Sequence, residues 1–295
     1  MSDDYVMVEG HRARIGDIEL FWREPVVDAP DLAPVVLVHS GPGLDGGLWF
    51  PWLLGLERRR LLAIDLRGHG QSGGGNPDKW SVETFAADLD GLAAELGLID
   101  HTLLGHGFGA LVVLRNAIDF PGRAARVVLT GAVSHAGAYQ EAEANLARFE
   151  PESLRSGIQA AYDAEREVSD PEQFGALFAL QTAFQFADPA GAPRRAYLQR
   201  ARSVEHRVPM IRRFAEPDGL DAFDVRDLLS RVSVPALVAT GTDDRIATPN
   251  AARELATALP RAELALIEGA GHVPYVEQPE IFLATLRSFL TRHGG

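Results

Sequence analysis

Short runs of Val, Ile and Leu recur along the chain and alternate with stretches whose apolar residues follow the period of a helix. This alternation is typical of a mostly parallel sheet with helices on both faces, because parallel strands must be joined by long crossover connections. The six clearest runs lie at 35–39, 61–64, 102–105, 126–130, 236–240 and 264–267. The sequence therefore predicts an α/β fold.

The first and last parts of the chain extend this sheet and its helices. Two amphipathic runs at 13–15 and 18–22 are separated by Gly16-Asp17, a dipeptide that joins antiparallel strands. With this hairpin as an antiparallel edge, we predict a mostly parallel, eight-stranded sheet. Residues 81–98 are predicted to form a helix that begins after Ser81, and 281–290 a closing helix.

The strand signal disappears between residues 135 and 224, where short helical segments rich in Ala, Arg, Glu and Phe are broken by prolines. An all-helical insertion after the sixth strand is most simply a lid over the carboxyl edge of the sheet, where open α/β sheets bind ligands. We therefore predict a core formed by 1–134 and 225–295, and a helical cap formed by 135–224.

Length and composition restrict the partners and the chemistry. A chain of 295 residues that is 46% hydrophobic can bury one large core. Its formal net charge of −13 disfavours nucleic acids and anionic membranes, so we expect a small-molecule substrate. We expect a monomer or homodimer. The chain contains no cysteine and a single lysine, Lys79. Thiolate nucleophiles and thiolate metal sites are excluded, and a Schiff base is possible only at Lys79.

The opening residues and the apolar runs of the sequence indicate where in the cell the protein is expected. The chain opens with Met-Ser-Asp-Asp and has no basic region there, and its longest apolar runs, such as 34–38 and 110–114, are much shorter than the ~20 residues of a membrane span. We expect a cytoplasmic protein that is not exported.

Residues 103–110 read Leu-Leu-Gly-His-Gly-Phe-Gly-Ala and lead from a predicted strand into a predicted helix. In the G-x-S-x-G motif, flanking glycines permit so sharp a turn that the central residue projects from its apex as a nucleophile. The central residue here is Gly107, which has no side chain that could attack a substrate.

Several loops, taken together with this turn, resemble those of one family. The matching segments are His39-Ser40-Gly41-Pro42-Gly43, Asp-Leu-Arg-Gly-His-Gly-Gln-Ser at 65–72, the Gly-Thr-Asp-Asp-Arg-Ile segment that starts at Gly241, and Gly-Ala-Gly-His at 269–272. The chain is similar to the α/β-hydrolase superfamily, and within it to the capped hydrolases that resemble proline iminopeptidase. It departs from the family at Ser40, which replaces the first glycine of an H-G-G-P-G loop, and at Gly107.

The resemblance implies a role for each loop. Asp244 would be the acid of a catalytic triad, with Asp243 as the alternative, and His272 would be the base. The chain order of nucleophile position, acid and histidine agrees with this fold. The backbone N–H groups of Gly41 and Phe108 would form an oxyanion hole.

Further residues are candidates for substrate contact. We expect Ser40, Trp49, Phe178 and Phe184 to line the cavity, and His39 either to contact the substrate or to brace its own loop. The histidines show no paired spacing for a metal ion, so neither a metal nor another cofactor is expected.

Glycine at the nucleophile position leaves three interpretations open. The chain is a hydrolase inactivated by replacement of a serine, or of the aspartate found in epoxide and haloalkane hydrolases. Alternatively, it is a natural variant in which His272 and Asp244 act as a general base without a covalent intermediate. The third interpretation is a non-catalytic protein that binds a ligand. The resemblance implies a small, apolar ester, amide, lactone or related molecule as the substrate.

Overall fold

The computed structural model describes residues 8–26, 31–56 and 58–294, so the opening residues 1–4 used above lie outside the described part. The strands are β1 Val8–Ile15, β2 Ile18–Pro25, β3 Leu32–Val38, β4 Arg59–Asp65, β5 Thr102–His106, β6 Arg126–Thr130, β7 Ala236–Gly241 and β8 Ala262–Ile267. The α-helices are α1 Val82–Glu95, α2 Phe108–Asp119, α3 Gln140–Ala147, α4 Arg155–Asp163, α5 Pro171–Gln185, α6 Ala192–Ala201, α7 Val208–Ala215, α8 Pro249–Ala258, α9 Pro274–Glu277 and α10 Pro279–Arg292.

The described strands form one sheet in the order β1-β2-β4-β3-β5-β6-β7-β8. The six strands from β3 to β8 are parallel to their neighbours within that group, whereas β1 and β2 form an antiparallel hairpin at one edge. The hairpin turns at Gly16, whose φ of 56° favours glycine. The prediction of a mostly parallel, eight-stranded sheet with one antiparallel edge is confirmed.

Helices cover both faces of this sheet. Successive residues of β3 point to opposite faces, so that Val36 and Val38 belong to one buried apolar cluster and Val35 and Leu37 to another. The first cluster includes residues of α1, α2 and α8, and the second includes residues of α10. The helix predicted at 81–98 is α1, and the Ser81 side chain accepts a hydrogen bond from the N–H of Thr84 at its start.

The chain between β6 and β7 contains α3 to α7 and short 3₁₀ turns, so the predicted helical insertion after the sixth strand is present. We call residues 135–224 the helical segment. Their assignment as a separate cap, with 1–134 and 225–295 as the core, stays a prediction. The described residues include no helix of the length and apolarity that a membrane span needs. The cytoplasmic location and the monomeric or homodimeric state likewise stay predictions.

Candidate active site

The loops singled out in the sequence meet at the carboxyl edge of the sheet. Ser40 and Gly41 follow β3, Gly107 follows β5, Asp244 follows β7 and His272 follows β8. Parallel strands place their carboxyl ends at one edge, so loops far apart in sequence come together there. Apart from Asp244, which lies behind His272, these residues line a common cavity.

Gly107 occupies the turn between β5 and α2. Its φ of 52° and ψ of −117° lie where residues with a side chain are strained, and it immediately precedes the first residue of α2. If residue 107 carried a side chain, its Cβ atom would lie 3.5 Å from Nε2 of His272 and 2.9 Å from Oγ of Ser40. The backbone therefore has the form of the predicted elbow, and its apex points at the imidazole.

Asp244 and His272 form a buried hydrogen-bonded pair. Nδ1 of His272 lies 2.9 Å from Oδ2 of Asp244, which also accepts a hydrogen bond from the hydroxyl of Thr240 at 2.7 Å. Oδ1 of Asp244 accepts two backbone N–H groups, from Ile246 and Ala247. The carboxylate is therefore fixed on both oxygens.

The neighbouring Asp243 is exposed, so the choice of Asp244 as the partner of His272 agrees with the geometry. Because its Nδ1 faces a carboxylate, the imidazole is held with a proton on Nδ1 and a lone pair on Nε2.

The environment of His272 sets its basicity. Burial by itself lowers the pKa of the imidazole, but the charge of Asp244 and the hydrogen bond to it outweigh burial and raise the pKa of His272 above its ordinary value. The carboxylate of Glu277 acts in the same direction. The pair is thus electrostatically suited to accept a proton at Nε2.

Glu277 was not predicted from the sequence, and it holds the loop that carries His272. One carboxylate oxygen accepts N–H groups of Gly271 and Val273, and the other accepts the N–H of Ala187 in the helical segment. The N–H of His272 in turn donates to the carbonyl of Gln185 at 2.7 Å. The histidine loop is therefore fixed against the helical segment as well as against β8.

The two backbone N–H groups predicted as an oxyanion hole lie beside the elbow. Gly41 and Phe108 both line the cavity, and neither N–H donates to an acceptor within residues 8–26, 31–56 and 58–294. Phe108 is the first residue of α2, where N–H groups are free and the helix dipole favours negative charge. These N–H groups are available to an oxygen of a ligand.

The cavity has a volume of about 380 Å³ and lies between the strand-end loops and the helical segment. Aromatic rings of the helical segment form much of its wall, including the predicted Phe178 and Phe184 together with Phe174. A cavity of this size, with apolar rings on part of its wall, suits a small molecule.

Trp49, expected to line the cavity, lies elsewhere, and of the two roles expected for His39 the geometry agrees with bracing of its own loop. His39 is fully buried below its loop, with Nδ1 2.6 Å from the carbonyl of Ser40 and Nε2 accepting the N–H of Leu66. Trp49 is also buried, and its ring lies 4.7 Å from that of Tyr275. Neither lines the cavity, because both are used to pack the base of the loops, and we remove them from the set of substrate contacts.

The polar wall of the cavity was not assigned from the sequence, where Glu143 and Glu165 were only two of four carboxylates of the helical segment, with Glu141 and Glu167, among which no choice was made. It is formed by side chains of the helical segment, where no family motif and no periodic pattern marks them: Tyr139, Glu143, Gln159, Tyr162, Glu165, Gln181, Gln185, Tyr197 and Asp221. Among the described residues, no group of three or more His, Cys, Asp or Glu side chains is arranged to hold a metal ion.

Known proteins were compared with the chain at the level of sequence and structure. A family model described as "alpha/beta hydrolase fold" matches residues 33–279. A proline iminopeptidase of Lactobacillus helveticus (strain DPC 4571) is 26% identical and covers 97% of this chain and 99% of its own length. A putative carbamate hydrolase, RutD, of Rhizobium rhizogenes (strain K84) is 30% identical and covers 90% of this chain and 95% of its own length. The solved enol-lactonase of Burkholderia xenovorans LB400 superimposes with a TM-score of 0.72 at 26% identity, over 95% of this chain and 100% of that one.

The likeness to proline iminopeptidases that the motifs suggested is therefore found along nearly the whole chain. Because the matched family model also spans most of the sheet and the entire helical segment, the chain belongs to the α/β-hydrolase fold family.

Proposed function

We propose that this protein hydrolyses a small carbonyl compound, such as an ester, lactone, carbamate or amide, and that His272 and Asp244 move the proton. The observation that carries the proposal is the arrangement of one imidazole, whose Nδ1 is held 2.9 Å from Asp244 while Nε2 faces the apex of the elbow. A general base held in this manner contributes on the order of 10² to 10⁴ in rate. The N–H groups of Gly41 and Phe108 would stabilise the oxyanion.

The relatives support a carbonyl centre as the point of attack. A peptide bond, a carbamate and an enol lactone, the groups in the names of the three relatives, share an electrophilic carbonyl carbon. The cavity is lined by phenylalanine side chains and encloses about 380 Å³, which favours a small acyl group with apolar substituents. We propose that Phe178 and Phe184 contact these substituents.

Hydrolysis of 4-nitrophenyl butyrate and of a small enol lactone would test the proposal. We expect measurable turnover by the native protein and its loss in His272→Ala, whereas His11→Ala, in which the histidine lies on β1, retains it. The melting temperature of each variant serves as the control for folding.

Other outcomes select among the interpretations of Gly107. A rise in melting temperature with a ligand that is recovered unchanged would favour a protein that only binds. Turnover that appears only in Gly107→Ser would identify an inactivated hydrolase.

A substrate with a free amino group is a second candidate, favoured by one carboxylate in the cavity wall. Oε1 of Glu165 accepts a hydrogen bond from Gln181 at 2.7 Å, and burial raises the pKa of this carboxyl group. A bound ammonium group would stabilise the charged form of Glu165. We expect proline 4-nitroanilide to be cleaved faster than its N-acetyl derivative if this candidate is correct, and Glu165→Gln to remove the difference.

A further inference from the structure

The two positions at which the chain departs from its family lie next to each other in space. Ser40 stands where the family loop has glycine, and Gly107 stands where the family elbow has its nucleophile. The Ser40 hydroxyl oxygen lies 2.9 Å from the point where a side chain at residue 107 would begin, which is closer than real Cβ contacts. A side chain at residue 107 would therefore require the Ser40 hydroxyl to move.

The Ser40 hydroxyl and Nε2 of His272 thus approach the same point beside the elbow from two different loops. Nε2 of His272 lies 3.5 Å from the same point near Gly107, and Ser40, Gly107 and His272 all line the cavity. Within the described part of the chain, Oγ of Ser40 has no hydrogen-bond partner. This hydroxyl is therefore available to the imidazole and to a substrate.

The other hydroxyl groups of the cavity are less suitable. Among the described lining residues, Ser40 carries the one aliphatic hydroxyl, and the remaining hydroxyls are the phenols of Tyr139, Tyr162 and Tyr197. Burial raises the pKa of each of these phenols, so they lose the easier ionisation that an ordinary phenol has over an aliphatic hydroxyl. All three belong to the helical segment rather than to the loops that surround the elbow.

We propose that Ser40 is the nucleophile of this protein and supplies from the loop after β3 the hydroxyl that the elbow lacks. The proposal rests on the proposed hydrolytic function and gives it a covalent intermediate. It also accounts for glycine at the elbow, since the attacking atom comes from the neighbouring loop after β3.

The proposed reaction is a two-step acyl transfer through a serine ester. Oγ of Ser40 bonds to the carbonyl carbon and gives its proton to Nε2 of His272, while the carbonyl electron pair moves to the oxygen beside the N–H groups of Gly41 and Phe108. The bond to the leaving group then breaks, and the leaving group takes the proton from His272. A water molecule attacks the acyl ester and passes its proton to His272, and the bond to Oγ breaks as Ser40 regains a proton.

The test combines covalent labelling with turnover. The native protein is incubated with a fluorophosphonate, and the labelled peptide is identified by mass spectrometry. We expect the adduct on Ser40, its absence in Ser40→Ala, and a loss of 4-nitrophenyl butyrate turnover in that variant on the order of 10³-fold or more. Ser203→Ala makes the same chemical change on an exposed serine outside the cavity and should leave both readouts unchanged.

Further variants keep the result decisive. If Ser40→Ala melts at a lower temperature than the native protein, the labelling and turnover measurements are repeated with Ser40→Gly. This variant also lacks the hydroxyl and carries the residue found in the family loop. Combining Ser40→Gly with Gly107→Ser should recover turnover and move the adduct to position 107.

The proposal fails if the adduct is absent or lies on another residue, or if Ser40→Ala keeps its turnover within a few-fold of the native value. If turnover is lost in His272→Ala but unchanged in Ser40→Ala, the protein is a hydrolase as proposed, and only the assignment of Ser40 as its nucleophile is wrong. An adduct on Ser40 without turnover of any ester would support the nucleophile and contradict the hydrolytic function.

Discussion

The position of Gly107 disfavours a side chain for two reasons. Its backbone has a positive φ, and its apex faces the hydroxyl of Ser40. We expect Gly107→Ala to lower the free energy of unfolding by about 1–3 kcal/mol, because the methyl group is strained by the backbone and meets Oγ of Ser40. Urea unfolding measures the loss.

A control separates the two causes of this loss. Gly122 also has a positive φ, but a Cβ atom there would meet nothing within 4 Å. Gly122→Ala therefore reports backbone strain alone and should cost less than Gly107→Ala. Equal costs in the two variants would show that the Ser40 side chain turns away from the methyl group without a measurable loss of stability.

The pKa of His272 gives a prediction for the pH dependence. The imidazole acts as a base only when it is neutral, and Asp244 raises its pKa above the ordinary value of 6.5. The acid limb of kcat/KM should therefore have its midpoint above 6.5, with activity lost as the pH falls through it. A pH–rate profile of ester hydrolysis measures this midpoint.

Asp244→Asn tests the cause of the raised pKa. The amide replaces a charged acceptor with a neutral group and can present N–H to Nδ1 of His272, which favours the wrong tautomer. We expect the acid limb to move to lower pH and the plateau to fall on the order of 10⁴-fold. The exposed neighbour Asp243 provides the control, since Asp243→Asn should change neither the midpoint of the acid limb nor the plateau rate. An effect equal to that of Asp244→Asn would contradict the pairing of Asp244 with His272.

At the scale of elements, the strands were predictable and the wall of the cavity was not. The run at 126–130 coincides with β6, because a buried strand has a continuous apolar sequence. Asp244 and His272 were found from loops that resemble a family. Glu165 and Tyr162 lie on the helical segment, and their place in the cavity depends on how its short helices pack, which no local pattern records. Trp49 packs against Tyr275 below the loops instead of facing the cavity, and the sequence of its own loop does not record this long-range contact.

Arg245 connects the loop of Asp244 with the helical segment. Its guanidinium donates to the carbonyls of Phe184, Phe186 and Ala187 at the end of α5, next to the carbonyl of Gln185 that accepts the N–H of His272. Arg245→Ala should cost on the order of 2 kcal/mol of stability, because these carbonyls lose a charged donor.

Hydrogen exchange would show whether this connection supports the site. In Arg245→Ala we expect faster exchange of the amide of His272 and a lower kcat for the ester, since the carbonyl that holds the histidine loop becomes mobile. Arg253→Ala, on the exposed side of α8, is the matched control. Unchanged exchange at His272 in Arg245→Ala would mean that β8 alone fixes the imidazole.

For the whole molecule, the question is whether the sheet and the helical segment unfold together. One buried apolar cluster contains Trp49 and Leu53 from the chain before β4 together with Phe178 and Tyr197 of the helical segment. The ring of Trp52, packed against this cluster, lies 5.9 Å from that of Tyr197. A shared core of this kind predicts one cooperative transition.

The distribution of tryptophan makes this testable with two probes. The sequence contains four tryptophans, and all of them precede the helical segment. Trp22 and Trp80 belong to or pack against the other apolar cluster, so fluorescence of the protein with Trp49→Phe and Trp52→Phe reports on the sheet side. Far-ultraviolet circular dichroism includes the helices of the segment. We expect the two melting curves to coincide, and Phe178→Ala to lower both midpoints equally because it removes about 3–5 kcal/mol from the shared cluster. Loss of the helical signal before the fluorescence change would show that residues 135–224 unfold as an independent cap.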